Sequence, residues 1–118
     1  MASKEIKLRN LNGYLKTLIE VCHETISDAI VEMEKFNITP IDFRKESTNL
    51  NVSAFILSYL NRIKEISEKS DYKTTADFIR FHKYQLETKA IGNDNAVEIA
   101  HKKTISVLSS IIHLYLDK

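Results

Sequence analysis

Two Glu-x-x-His pairs carry the spacing of a metal site: Glu20-Val-Cys-His23 and Glu98-Ile-Ala-His101. Aimed inward from two helices of a bundle, and joined by two further Glu, such pairs hold di-iron or di-manganese centres. Helical phase argues against that use here. At about 100° per residue, Glu20 falls almost opposite the stripe of Leu11, Leu18 and Cys22, and Glu98 falls well off its own segment's apolar line. With Glu so common, chance pairs are expected. Both pairs therefore read as surface Glu with flanking His, and the expectation is no metal and no cofactor.

Other chemistries fail on spacing. Glu65-Ile-Ser-Glu68 is the kind of Glu-x-x-Glu pair that binds magnesium in all-helical nucleotide pyrophosphohydrolases, but the required downstream Glu-x-x-Asp is missing, since Glu87 is followed three positions on by Ala90. Arg80 and His82 are too close for the Arg-then-His motif of helical RNases, and His101-Lys102-Lys103-Thr104 departs from a phosphotransfer motif at Thr104. No P-loop and no zinc-type cysteine pair occurs. His82 reads as a core or boundary histidine with no nucleophile or base motif beside it. The single cysteine, Cys22, excludes an internal disulfide and lies in an apolar stripe, where it acts as a small hydrophobe. The prediction is a protein that is not an enzyme.

Two surfaces stand out instead. Glu20, Glu24, Asp28 and Glu32 follow one another at four-residue steps and form an acidic ridge. Like charges at that spacing repel by a few tenths of a kcal/mol per pair. The ridge also lies toward the negative end of its helix, while Lys4, Lys7 and Arg9 lie at the positive end, so both groups oppose the macrodipole. Either Lys or Arg from a neighbouring helix covers the ridge, or it is a docking face for a basic partner. The second surface is Phe78-Ile79-Arg80-Phe81-His82-Lys83-Tyr84. With Ile79 and His82 inward, Phe81 and Tyr84 point outward among Arg80 and Lys83, as anchors for a protein interface or as stacking platforms for nucleic acid.

These residues need helices to position them. Leu8, Leu11, Leu15, Leu18, Cys22, Ile26, Ala29, Ile30 and Met33 recur at three- and four-residue steps, which predicts one long helix from Ser3 to Phe36 as the element the others pack on. Asn10, Asn12 and Gly13 interrupt its propensity, so a kink at Gly13 or a start at Asn12 is the alternative. Thr39, Pro40 and Asp42 form a helix start, which predicts a short helix to about Glu46, a break over Ser47, Thr48, Asn49 and Asn51, and a second main helix from Leu50 to Lys69. A single helix from Pro40 to Lys69 is the alternative. A third helix runs from Tyr72 to Ile91, capped by Ser70 and Asp71 and stopped by Gly92; its inner line is Tyr72, Thr75, Ile79, His82, Leu86 and Ala90. The fourth runs from Ala96 to Leu116, with Val97, Ala100, Thr104, Leu108, Ile111 and Tyr115 inward. Ile105, Ile112, Leu114 and Leu116 make its end apolar nearly all round, so it is central or covered by a partner, for instance in a homodimer. The predicted core joins Leu15, Leu18, Cys22, Ile26, Ile56, Tyr59, Ile63, Leu86 and Leu108.

Length and composition bound the rest. With 118 residues, two Gly and one Pro, the chain predicts one all-α domain over residues 1–118, an antiparallel bundle of four main helices. The net charge of +1 gives no global attraction to nucleic acid or membrane, which ranks a nucleic-acid-associated subunit below a protein-binding module such as an inhibitor, an immunity-type neutraliser or a small subunit of an assembly. The charged N-terminus predicts no secretory signal, no membrane span and a cytoplasmic location.

Overall fold

Helix caps written into the sequence start three of the four helices. The computed structural model describes residues 3–89 and 95–116. The Ser3 hydroxyl accepts the Ile6 amide and opens α1, Lys4–Met33; Thr39 accepts the Asp42 amide, with Pro40 at the first position, and opens α2, Pro40–Lys69; Asp71 accepts the Thr74 amide and opens α3, Tyr72–Thr88. The two hydrogen bonds donated to Asp71 hold its carboxyl below the usual carboxylate range. Helix α4, Asn95–Ile111, ends in a π-helical turn, Ile112–Leu116, whose Leu116 carbonyl accepts the Tyr72 hydroxyl at 2.9 Å. No strand occurs among the described residues, and the helices pack as an all-α bundle. Residues 90–94, which include Ala90 and the expected end of the third helix at Ile91 and Gly92, lie outside the described residues.

Two expectations are corrected, and one alternative falls away. The first is the break at Ser47–Asn51: α2 runs unbroken from Pro40 to Lys69. Residues 46–50 are half-buried and Val52 and Ser53 are buried, so packing against α1 overrides the weak propensity of Ser, Thr and Asn. The alternative that falls away is the kink at Gly13, and the single first helix holds. Helix α1 is continuous there, and Asn12, which looked like a turn residue, hydrogen-bonds the buried Ser67 across the α1–α2 seam. The second correction is which helix organises the fold. Helix α2 packs against all three others, whereas α1 packs mainly on α2, with smaller contacts to α3 and the π-turn.

Gly13 has helical backbone, and a Cβ built on it meets nothing within 4 Å. Gly13→Ala is therefore expected to raise stability by about 0.5–1 kcal/mol, the conformational freedom that glycine loses in a helix. Urea unfolding of the two proteins checks it.

The core is one cluster of Leu11, Leu15, Cys22, Leu60, Ile63, Ala76, Ile79, Leu86, Leu108, Ile111 and Leu116. Burial pushes the Cys22 thiol up, which keeps it a protonated hydrophobe. Leu18, Ile56 and Tyr59 pack on the cluster half-buried, and Ile26 stands outside it. Its position explains this. Helices α1 and α2 have 30 residues each and α3 and α4 only 17. At about 1.5 Å per residue the long pair outruns the short pair by several turns. Tyr72 lies against Lys7 and Leu8, while α4 begins beside Asn51 and Phe55. Pro40–Leu50 and the facing part of α1 therefore project as a two-helix arm, within a molecule 55 Å long and 29 × 21 Å across. Ile26 belongs to that arm, where only two helices meet. At the other end the bundle itself covers most of the fourth helix: Ile105 and Ile112 are half-buried on the core, Leu116 is buried, and only Leu114 stays exposed. No described helix is long and apolar enough to cross a membrane.

Candidate functional site

The acidic ridge runs along α1 and onto the arm. A four-residue step advances about 400°, so the ridge winds roughly 40° per step. Glu20, Glu24 and Asp28 are exposed, and Glu32, at the end of the turn, is half-buried. Glu32 is held locally by Lys35 at 2.7 Å. The other three make no ion pair with any described residue, so no neighbouring Lys or Arg covers them. No basic residue stands in the last turn of α1 to meet its negative end.

The ridge carries apolar side chains with it. Val21, Glu24, Asp28 and Val31 fall at i, i+3, i+7 and i+10 and share one face. Val21 is 51% and Val31 59% exposed, an unusual load for two β-branched apolar residues on an acidic face. At the arm's tip Phe36 is fully exposed, and Ile41 and Phe43 are exposed beside it. None of these tip residues was singled out by periodicity, because the pattern gives a phase for each helix and not the length by which one helix outruns another.

The second expected surface is present with one change. Phe81 and Tyr84 are exposed, as is Arg80, but Lys83 is half-buried and paired with Glu87 at 3.1 Å. Phe81 meets the edge of His82 at 5.3 Å between ring centres. His82 also lies tilted against Phe78 at 4.2 Å and edge-on to Tyr59 at 5.7 Å. Burial, and then the Arg62 guanidinium, pull the His82 pKa down, which favours the neutral ring.

The Glu-x-x-His pairs separate. Glu20 and His23 are both exposed. Glu98 is paired with Lys102 at 2.7 Å, which lowers its pKa through that hydrogen bond and charge. The Glu65 and Glu68 carboxylates are held by Lys69 and Lys64. No group of three or more His, Cys, Asp or Glu among the described residues could hold a metal ion.

His101 is the correction at this site. Against the expected surface position, it is 5% exposed, its ring 5.7 Å from Phe55. Val97, expected inward, is exposed in the first turn of α4, where it lines a hollow instead of packed side chains. The signal was available: His101 stands three before Thr104 and seven before Leu108, both fully buried, so it fits the inner line as well as Val97 does. No protein-family model matches this chain, and no curated protein and no solved structure is significantly similar to it.

Proposed function

We propose that the chain is a protein-binding module, of the inhibitor, immunity-type or small-subunit kind, whose α1–α2 arm docks a partner with a basic and partly apolar surface. The observation that carries this reading is the exposure of Glu20, Glu24 and Asp28 without ion-pair partners, on one face with exposed Val21 and Val31. Local stability does not account for that face. The carboxylates repel one another at four-residue spacing and oppose the helix dipole. Carboxylates that complement a cationic surface steer encounter and fix register, while the valines supply apolar area at contact. Phe81 and Tyr84 offer a separate exposed aromatic surface on α3. A nucleic-acid role for that aromatic face is the weaker reading, because Lys83 is already paired with Glu87.

The test is the double reversal Glu24→Lys with Asp28→Lys. Binding rates to a partner captured from the native cell are measured for both proteins across a salt series. The reversal is expected to slow association roughly tenfold at low salt and to flatten its salt dependence. The melting temperature should hold or rise, because the new lysines pair with Glu20 and Glu32 at four-residue spacing. Lower stability with unchanged association would make the ridge structural and overturn the proposal. Rates unchanged while a light-scattering dimer dissociates would assign the face to a second copy instead.

A further inference from the structure

Three adjoining hollows, of about 310, 320 and 300 Å³, share the side chain of Phe55 and form one trough between α2, α3 and α4. Along α2 the trough passes from Asn51 to Arg62, roughly 16 Å at the helical rise. Its walls are rings. Phe55 lies 5.3 Å from Tyr59 and 5.7 Å from His101, and Phe78, Phe81 and His82 line the α3 side. Flat apolar walls of this kind favour a planar aromatic guest over a branched one.

Two polar features define the guest further. His101 Nδ1 is the one buried side-chain polar atom among the described residues without a hydrogen-bond partner. Leaving such an atom unpaired is costly, so it calls for one. A hydroxyl satisfies it in either imidazole tautomer, since it both donates and accepts. Charge is the second feature. Arg62 and Lys89 line the trough, neither makes an ion pair with a described residue, and no carboxylate is among the described lining residues. The trough is thus opposite in charge to the ridge on α1. Arg62 stands two turns along α2 from Phe55, about 10 Å, which sets an anionic end apart from the end near His101.

We propose that this trough binds a planar two-ring aromatic acid, with its rings against Phe55, Tyr59 and Phe81, its carboxylate on Arg62, and a hydroxyl at its far end on His101 Nδ1. The site is independent of the arm and does not rest on the protein-binding reading.

The probe is a hydroxynaphthoate with hydroxyl and carboxylate at opposite ends, titrated into the whole nitrogen-labelled protein and followed by amide chemical shifts. Saturable one-to-one binding is expected, with the largest shifts at Phe55, Phe81 and His101. Arg62→Ala, an exposed change that spares the core, should weaken it roughly tenfold, the loss of one charge-assisted contact. The same change should leave binding of neutral naphthol unaltered. Naphthoate without the hydroxyl should bind more weakly to the natural protein and equally well to His101→Leu. The comparison of naphthoate with hydroxynaphthoate stands without that variant should it not fold. Reversal of Glu24 and Asp28 should leave the titration unchanged. No saturable shift at millimolar probe, shifts confined to another face, or indifference to Arg62→Ala overturns the site.

Discussion

Truncating Leu108 to alanine lowers the free energy of unfolding by about 2–5 kcal/mol. Leu108 is fully buried, on the inner line of α4 between Thr104 and Ile111, themselves buried. It belongs to the cluster that joins α1, α2, α3 and the π-turn, so its loss opens a space that no single helix can close by shifting. Leu18→Ala is the informative comparison. Leu18 sits on the predicted core stripe of α1, yet it packs on the cluster only half-buried. Its truncation removes less buried surface and leaves a site open to solvent, so its cost falls well below that of Leu108. Urea unfolding with an unchanged m-value gives both numbers. Equal losses for the two variants would show that the burial difference does not govern stability here.

Periodicity and caps made most of the helices legible. Ser3, Thr39 and Asp71 each cap a helix through a bond to the amide three residues on, an interaction set by local chemistry alone. Leu15, Cys22, Ile63, Leu86 and Leu108 meet in one core because each sits on its helix's dominant apolar line. The remainder depended on relations between helices. Helix α2 crosses Ser47–Asn51 because α1 lies along it, a fact absent from the local sequence. The arm exists because two helices outlast the other two. The trough brings Phe55, His82 and His101 together from three helices, and no spacing within any one of them announces it.

The charges sort by helix in a way that composition hides. A net charge of +1 conceals an uncompensated acidic face on α1 and an aromatic trough whose unpaired charges are Arg62 and Lys89. Elsewhere on the helices several carboxylates and lysines cancel locally, as in Glu65 with Lys69, Asp77 with Lys73, Glu87 with Lys83 and Glu98 with Lys102. Such exposed pairs add little stability, but they remove charge from the faces that carry them. The faces left unneutralised are then the ones able to select partners by sign.

Thr48→Pro is expected to cost about 3 kcal/mol or more locally, since proline deletes the bond from its own amide to the Arg44 carbonyl and clashes with that carbonyl. Residue 48 lies in the middle of continuous α2, eight residues past Pro40. Had the chain broken at Ser47–Asn51, proline there would have been tolerated as a turn residue. The loss should concentrate in the arm. Pro40–Ser47 would be left as a short helix joined to α1 but no longer to the rest of α2, too short to hold itself in water. The cluster around Leu60, Ile63 and Leu108 lies outside the arm and should keep most of its stability. Hydrogen exchange reads the two parts separately: protection should fall over residues 40–47 and over the facing turns of α1, and persist in α3 and α4. The same variant also bears on the arm's role. Glu24, Asp28, Val31 and the exposed tip residues would lose the rigid support of α2, so a partner that docks on the arm should bind Thr48→Pro more weakly, while hydroxynaphthoate in the trough keeps its affinity. Unchanged protection over residues 40–47 would mean that α2 is already interrupted in solution.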